Sequence, residues 1–539
     1  MRITNNVIMR NTKTNINGNK INVNEKNNQM SSQKKIDRPS DDPVIAVRAL
    51  RLRSNLSELK QYLKTNIEEA ESWMNITDTA LYNMRGIMND MHTLCDHAAN
   101  DTLNQDDRKQ ILAQLRQNQE QIYAEGNADY AGRTVFTGWK TDTTLTFSMD
   151  KPEEHYTITQ ALSFANLEEE SYNYNMVSNE DIVNFRTKAE DVSDPANAPG
   201  SNTLNRIRLA YDTIGLAADT EADPSGRTPI GPADCKIQWA KGDGTLGGTI
   251  TYTTTTTKDM EDTDYAIGDN ECVLNTDTGE LYFGKTLAET LKENQAQFTF
   301  SYDKTGFEKG DLTPENYFNC TNWSKGDASD WDRYTYTHYE GGTWDTTDPL
   351  NPVYTAQKWI HEDINYTVAT NQEMAINLEA KDVLDQNLDR DISALADIVQ
   401  VSIDAHNKLD KLTSMQKQDA YASADDQKKL AAMIEVVSQE VDYADNKMRD
   451  VFTHYVGKTQ DYLTTMDLAR TDLGSLGQRL DLTKNRVESQ YTTVDKLKAE
   501  NEDEDLSDIV IDYQAAYLAY QASLQAAAKV QEQTLLDYI

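Results

Sequence analysis

Ser31-Ser-Gln-Lys-Lys-Ile-Asp-Arg-Pro-Ser-Asp-Asp-Pro43 opens a stretch that continues to Ala99 and decides how this chain folds. Beyond the proline, an apolar stripe is spaced alternately by four and three: Leu52, Leu56, Leu59, Leu63, Asn66, Ala70, Trp73, Thr77, Ala80, Met84, Ile87, Met91, Leu94 and Ala98. Asn66 breaks it and Thr77 weakens it. A 4-3 spacing held for about seven heptads predicts a coiled-coil seam. Asp41 and Asp42 suit the positive end of a helix, and Pro43 is tolerated in its first turn, so the helix is expected to start there. A globular bundle helix would show the same stripe. What sets this one apart is its counterpart at the far end of the chain.

That counterpart starts after Ala424-Asp-Asp426 with Leu430, Ile434, Val437, Val441, Ala444, Met448, Val451 and Tyr455. It weakens at Lys458, resumes through Tyr462 and Ala469, and continues as Leu473, Leu476, Leu480, Thr483, Val487, Tyr491, Val494 and Leu497. The step through Ala469 reads as a stutter. Asn501-Glu-Asp-Glu-Asp505 breaks the pattern, and a last stripe follows: Leu506, Val510, Tyr513, Tyr517, Tyr520, Leu524 and Ala527. Shorter helices are expected around Ile111, Leu115 and Ile122, with Asn104 as N-cap, and around Leu384, Leu388, Ile392, Leu395, Ile398 and Val401. Residues 1–30 contain ten asparagines, and their apolar residues hold no sustained period. Asparagine is a poor helix former, so alone this arm is expected to be frayed or disordered.

Between about Trp139 and residue 380 the texture changes to Thr, Tyr, Gly and Asp. Short β-type runs recur at Thr144–Ser148, Gly248–Thr253, Glu280–Phe283, Gln297–Tyr302 and Ile364–Val368, and Tyr130–Gly138 reads as extended. Residues 194–232, with Pro195, Pro199, Pro224, Pro229 and Pro232, read as loop. The predicted fold class is α+β multidomain: a long α-helical coiled-coil bundle of N- and C-terminal segments with an inserted, mainly antiparallel β domain. The expected divisions are 1–42 with 501–539 as an inner terminal coiled coil, disordered as monomer; 43–140 with 381–500 as helical core; and 141–380 as outer insertion.

A net charge of −37 argues against nonspecific binding to nucleic acid or anionic membranes. Residues 1–60 run the other way, with twelve Lys/Arg against five Asp/Glu. No apolar run is long enough for a membrane span, and the first residues lack the core of a cleavable signal peptide. Cys95, Cys235, Cys272 and Cys320 follow no paired spacing, so no disulfide framework is expected.

Lys35-Ile-Asp-Arg-Pro-Ser-Asp-Asp-Pro-Val44, Arg48-Ala-Leu-Arg-Leu-Arg53, Asp101–Arg108, Gly477-Gln-Arg-Leu-Asp481, Ala515–Leu524 and the ending Leu535-Leu-Asp-Tyr-Ile539 together resemble the flagellin superfamily. Within it they are most similar to the hook–filament junction proteins of the bacterial flagellum. The motif Arg38, Pro39, Ser40, Asp41, Asp42, Pro43 and the ending favour a junction protein over a filament flagellin. The resemblance implies a secreted structural subunit that forms a homo-oligomeric ring. Implied partners are another hook-associated junction protein, flagellin and a flagellar export chaperone, with export by the flagellar type III route. The assembly interface is then expected at Leu52, Leu56, Leu59, Leu63, Met84, Ile87, Met91, Leu506, Val510, Tyr513, Tyr517, Tyr520 and Leu524.

No catalytic, cofactor or metal site is expected. Gly242-Asp-Gly-Thr-Leu-Gly247 has the G-x-G-x-x-G spacing, but a β-type run follows it where a dinucleotide site needs a helix. His92, Cys95 and His97 do not share one helical face. His361-Glu362 lacks a second histidine at 365. Asp327, Asp330 and Asp332 lack a full calcium-loop pattern. The alternatives are a filament flagellin, or an appendage subunit whose β insertion binds glycans.

Overall fold

The computed structural model describes residues 5–99, 105–216, 235–323, 334–347 and 352–532. Asn104, Pro224, Pro229, Pro232, the three aspartates at 327, 330 and 332, and the ending 535–539 lie outside the described residues. The chain divides into two compact units. One is Met1–Glu71 with Asn365–Met374 and Leu476–Ile539; the other is Ser72–Ile364 with Ala375–Ser475.

In the first unit, helix Asn5–Ser32 packs antiparallel against helix Leu506–Glu532. The asparagine-rich arm is thus helical, and it does have a period: Thr12, Ile16, Asn19, Val23, Lys26 and Met30 are half-buried at 4-3 spacing. Counting apolar residues alone hides this, because every second seam position is polar: Thr12 bonds back to the Ile8 carbonyl, and Asn19 and Lys26 make contacts across the pair. Asn19 Nδ2 donates to the Ala519 carbonyl at 3.4 Å, and Lys26 Nζ meets Asp512 at 2.8 Å. Helix Pro43–Gln61 runs through a π turn, Tyr62–Asn66, into helix Ile67–Ala98. Leu59 and Tyr62 pack with Val487 and with Ala369 of the hairpin formed by Asn365–Ala369 and Gln372–Ala375. Asn66, the break in the stripe, donates to the Thr367 carbonyl of that hairpin at 2.7 Å.

The second unit joins a helical bundle to an eleven-stranded sheet. Trp73, Thr77, Ala80, Met84, Met91 and Ala98 of the predicted stripe are buried, and beside them Met74, Leu81, Met88 and Cys95 form another buried row at seven-residue spacing. A face this wide is that of a bundle helix with several partners rather than of a two-stranded coil. Helices Gln105–Gly126 and Leu388–Gln416 and the long helix Ala424–Glu502 complete the set. Along the long helix the buried register runs Met448, Phe452, Tyr455, Thr459, Tyr462, Met466, Ala469 and Leu473. The predicted stutter at Ala469 is therefore absent; paired four-residue steps fall at Ala444–Met448–Phe452 and Thr483–Val487–Tyr491 instead. Lys458 lies beside the seam and turns to Glu168, and Thr459 fills the seam instead, so the 4-3 spacing stays unbroken there.

At the centre of the sheet Lys151–Ser163 pairs with Gln297–Phe307, register Gln297 to Ser163 through Thr305 to His155. The pairings are antiparallel except that of Leu246–Thr255 with Cys272–Asn275. Part of the span read as loop is strand Gly200–Arg208, because Pro195 and Pro199 precede it and leave its ladder donors intact. Thr144–Ser148 contributes only the single bridge Thr146–Leu312. All four cysteines are buried and none forms a disulfide. Burial lifts the Cys95 thiol to about 12 and raises Cys272 as well.

Sheet and helices meet through buried charge. Arg206 and Arg208 alternate onto one face of their strand; Glu168 lies directly across from Arg206, and Glu280 from Arg208. Arg206 donates to Glu280 at 2.7 Å and to Glu170 at 3.2 Å. Arg208 pairs with Asp391 of helix Leu388–Gln416, which also accepts from Tyr462 at 2.5 Å. Lys458 holds Glu168 at 2.5 Å and Lys447 lies 3.6 Å from Glu170. Burial alone would raise Glu168, but Arg208 and Lys458 outweigh it and hold the carboxyl at about 2. Arg206 keeps Glu280 low against the same burial. Asp389 goes the other way: burial, then the nearby Asp311, lift it to about 6.

These shifts have opposite signs in stability. Depressed Glu168 contributes stability above the ordinary glutamate value, and that contribution is lost as pH falls toward 2. Raised Asp389 costs nothing below the ordinary aspartate value, costs progressively more as pH rises past it, and costs its full amount above about 6. Arg206→Met should therefore lower stability in urea at pH 7 by about 3–5 kcal/mol, because it strands Glu280. Asp389→Asn should raise the melting temperature at pH 8 and barely move it at pH 4; calorimetry at the two pH values checks both signs.

Candidate assembly interface

The motif that opens helix Pro43–Gln61 is a built turn. Asp42, with extended backbone, caps the helix by accepting from Val44 N at 2.8 Å and Ile45 N at 3.1 Å, and Pro43 takes the position where no donor is needed. Asp41 folds back to accept from Arg38 N at 2.7 Å and Asp37 N at 3.1 Å, so Arg38, Pro39 and Ser40 are spanned by one carboxylate. The adjoining residues meet the break at 501–505 as a short antiparallel clasp: Lys35 N donates to Glu502 O at 2.8 Å and Glu504 N to Gln33 O at 3.1 Å. Glu502 is buried there under a two-pronged bond from Arg53, at 2.7 and 2.6 Å, which holds its carboxyl below the ordinary range. Lys34 pairs with Asp503, and Asn501 Nδ2 reaches Ile45 O at 3.2 Å. The acidic break thus joins the two helix-to-helix linkers.

From the clasp, the two terminal helices run together. The C-terminal helix faces its partner with Ile509, Tyr513, Ala516, Tyr520, Ser523 and Ala527. That seam shares Tyr513, Tyr520 and Ala527 with the predicted stripe, while Val510 is half-buried and Leu506, Tyr517 and Leu524 are exposed. Ile509, Ala516 and Ser523 went unread because this helix is apolar on more than one side, so several stripes can be drawn through it. Apolar surface remains after pairing: Ile511 and Leu518 are each 63 % exposed, Val44 is 78 % exposed, and Val7, Ile8, Ile21, Val47 and Leu50 are exposed too. Of the other predicted positions, Leu59 is buried and Leu52, Leu56 and Leu63 are half-buried in the first unit. Met84 and Met91 are buried and Ile87 half-buried within the second.

Elsewhere, Gly242–Gly247 is a hairpin turn, with Gly244 at φ 83° and Lys241 N on Thr245 O at 2.9 Å. His92 contacts Thr459 at 3.0 Å and Cys95 is sealed in the core, so the two do not converge with exposed His97. No helix among the described residues is long and apolar enough to cross a membrane.

Residues 3–141 match the bacterial flagellin N-terminal helical region and residues 456–539 the bacterial flagellin C-terminal helical region. The chain is 28 % identical over 124 residues to flagellar hook-associated protein 3 of Escherichia coli, a match covering 23 % of this chain and 38 % of that one. With the protein of the same name from Salmonella typhimurium it shares 28 % over 115 residues, covering 21 % of this chain and 36 % of that one. The chain thus spans little more than a third of these relatives' length. A solved putative flagellar hook-associated protein from Vibrio parahaemolyticus aligns over 86 % of this chain and 100 % of its own, at 13 % identity and a TM-score of 0.33.

None of the described side chains of helix Asn5–Ser32 is fully buried, and only Ile509 and Ala516 are buried in helix Leu506–Glu532. So little burial offsets little of the ordering entropy of roughly 1–2 kcal/mol per residue. In the isolated subunit, amide exchange at residues 506–529 should be far faster than at residues 67–98. Equal protection in the two stretches would mean that the terminal pair is self-sufficient.

Proposed function

We propose that this chain, a flagellin-superfamily protein by both of its terminal regions, is a structural adaptor subunit at the hook–filament junction of the bacterial flagellum. It assembles with copies of itself into a ring through its terminal helices. The observation that carries this reading is the apolar surface left on those helices after they have paired: Ile511, Leu518 and Val44 have no use in a lone subunit and suit neighbours in a helical tube. The likeness to two hook-associated proteins and the Arg38–Pro43 turn support the junction over the filament. On this reading the subunit is not a catalyst. It leaves the cell by flagellar export with a chaperone on its C-terminal region, and it meets another junction protein on one side and flagellin on the other. Residues 1–42 with 501–539 form the inner layer, 43–140 with 381–500 the helical core, and 141–380 the outer insertion.

Location decides the matter. An epitope-tagged full-length chain should label one band where hook meets filament; label along the whole filament would make it a flagellin and overturn the proposal. Ile511→Asp with Leu518→Asp should keep the subunit's helical circular dichroism and secretion but abolish that band.

A further inference from the structure

In the second unit, the loop after strand Lys358–Trp359 is pinned against the segment that leads into the short helix Ala380–Val383. Lys381 Nζ donates to Ile360 O at 2.8 Å, Glu362 N to Glu379 Oε1 at 2.5 Å, and Asn377 Nδ2 to Glu362 O at 2.9 Å. The backbone is therefore fixed on both sides of His361, whose ring is set against two carboxylates. His361 Nδ1 lies 3.6 Å from Glu379 Oε1 and 3.8 Å from Asp382 Oδ2, and one donor atom from each residue falls within 4.8 Å of the other two. Around a tetrahedral zinc-type ion with bonds of about 2.0–2.2 Å, neighbouring donor atoms stand roughly 3.4 Å apart, so closing this triad takes shifts of a few tenths of an ångström at two of its edges.

The support of Glu379 also suits a cation. Glu379 divides its oxygens: Oε2 rests on Lys381 at 2.6 Å while Oε1 is turned to the histidine, the outer support that orients a ligating carboxylate. Behind the loop stands a second imidazole, His338, only 4 % exposed. Its Nε2 is on Glu315 O, and its Nδ1 has no hydrogen-bond partner and lies 4.0 Å from Glu362 Oε1. Lys140 pairs with Glu315 and Lys381 with Glu379, while Glu362 Oε2 accepts from Trp139 N at 3.3 Å and Asp382 faces His361. His361 is half in solvent, so the site stays open on one side for water.

We infer that His361 Nδ1, Glu379 Oε1 and Asp382 Oδ2 bind one divalent transition-metal ion of the zinc class. A calcium-type ion would require six to eight oxygens, and a single imidazole with two carboxylates favours the nitrogen-preferring metals instead. The ion would clamp the loop to the helix start without taking part in any reaction.

Titration of the full-length chain with zinc chloride by calorimetry should show one ion per chain, and cobalt(II) should give the visible absorption of a four-coordinate site. His361→Ala and Asp382→Asn should each weaken binding by roughly 10–100-fold. His97→Ala, at an exposed histidine on another helix, should leave it unchanged. Zinc should also raise the melting temperature of the wild-type chain but not of His361→Ala. Absence of saturable binding, or equal loss in the His97 variant, would overturn the site. If Asp382→Asn fails to fold, His361→Ala at the solvent edge still gives the answer.

Discussion

The antiparallel pairing of the first helix with the last is the interaction that ties the two ends of the chain into one unit. Lys26 and Asp512 are 486 positions apart, yet they form one ion pair. Bringing such distant segments together carries a closure entropy that grows only with the logarithm of the loop, about 0.6 kcal/mol per doubling. Once the ends are joined, the length of what lies between them matters little. That is the thermodynamic licence for a large sheet domain carried between two helical arms. The clasp at Lys35 and Glu502 reinforces the pairing, because each linker satisfies backbone groups that the other would leave bare.

The second unit solves a different problem. A sheet can lie on a helical bundle through apolar contact alone, which sets distance but not register. Here Arg206 and Arg208 reach from the sheet, and Asp391, Lys447 and Lys458 from the helices, into one buried and charge-matched cluster. Such a cluster adds little net stability over a well-packed apolar one, but any sliding of sheet on helix would separate several pairs at once. Its contribution is thus to orientation.

Much of this was legible in residue spacing. The stripe from Leu52 keeps its 4-3 period and is apolar except at Asn66 and Thr77, so its helix could be read directly, and the turn at Arg38–Pro43 declares itself by the capping chemistry of Asp42 and Pro43. Strand Glu280–Phe283 and the Gln297–Tyr302 part of strand Gln297–Phe307 were visible as short runs rich in aromatic residues. The N-terminal seam was not, because Thr12, Asn19 and Lys26 occupy alternate positions and a polar seam has no hydropathy signal. Strand Lys151–Ser163 was missed for a related reason: polar residues such as Thr157 and Gln160 are buried in it under hydrogen bonds rather than under apolar neighbours. The triad at His361 could not be read at all, since residues 361, 379 and 382 are gathered only when the loop is tied down.

The four cysteines lead to one further consequence. Each thiol is sealed, and the burial that raises Cys95 and Cys272 also keeps them from the thiolate form that reacts with oxidants. Packed side by side in many copies, subunits with accessible sulfur would accumulate random covalent links between neighbours and stiffen with age. Here that chemistry waits on unfolding, so in the proposed assembly redox durability is set by how rarely each subunit's core opens.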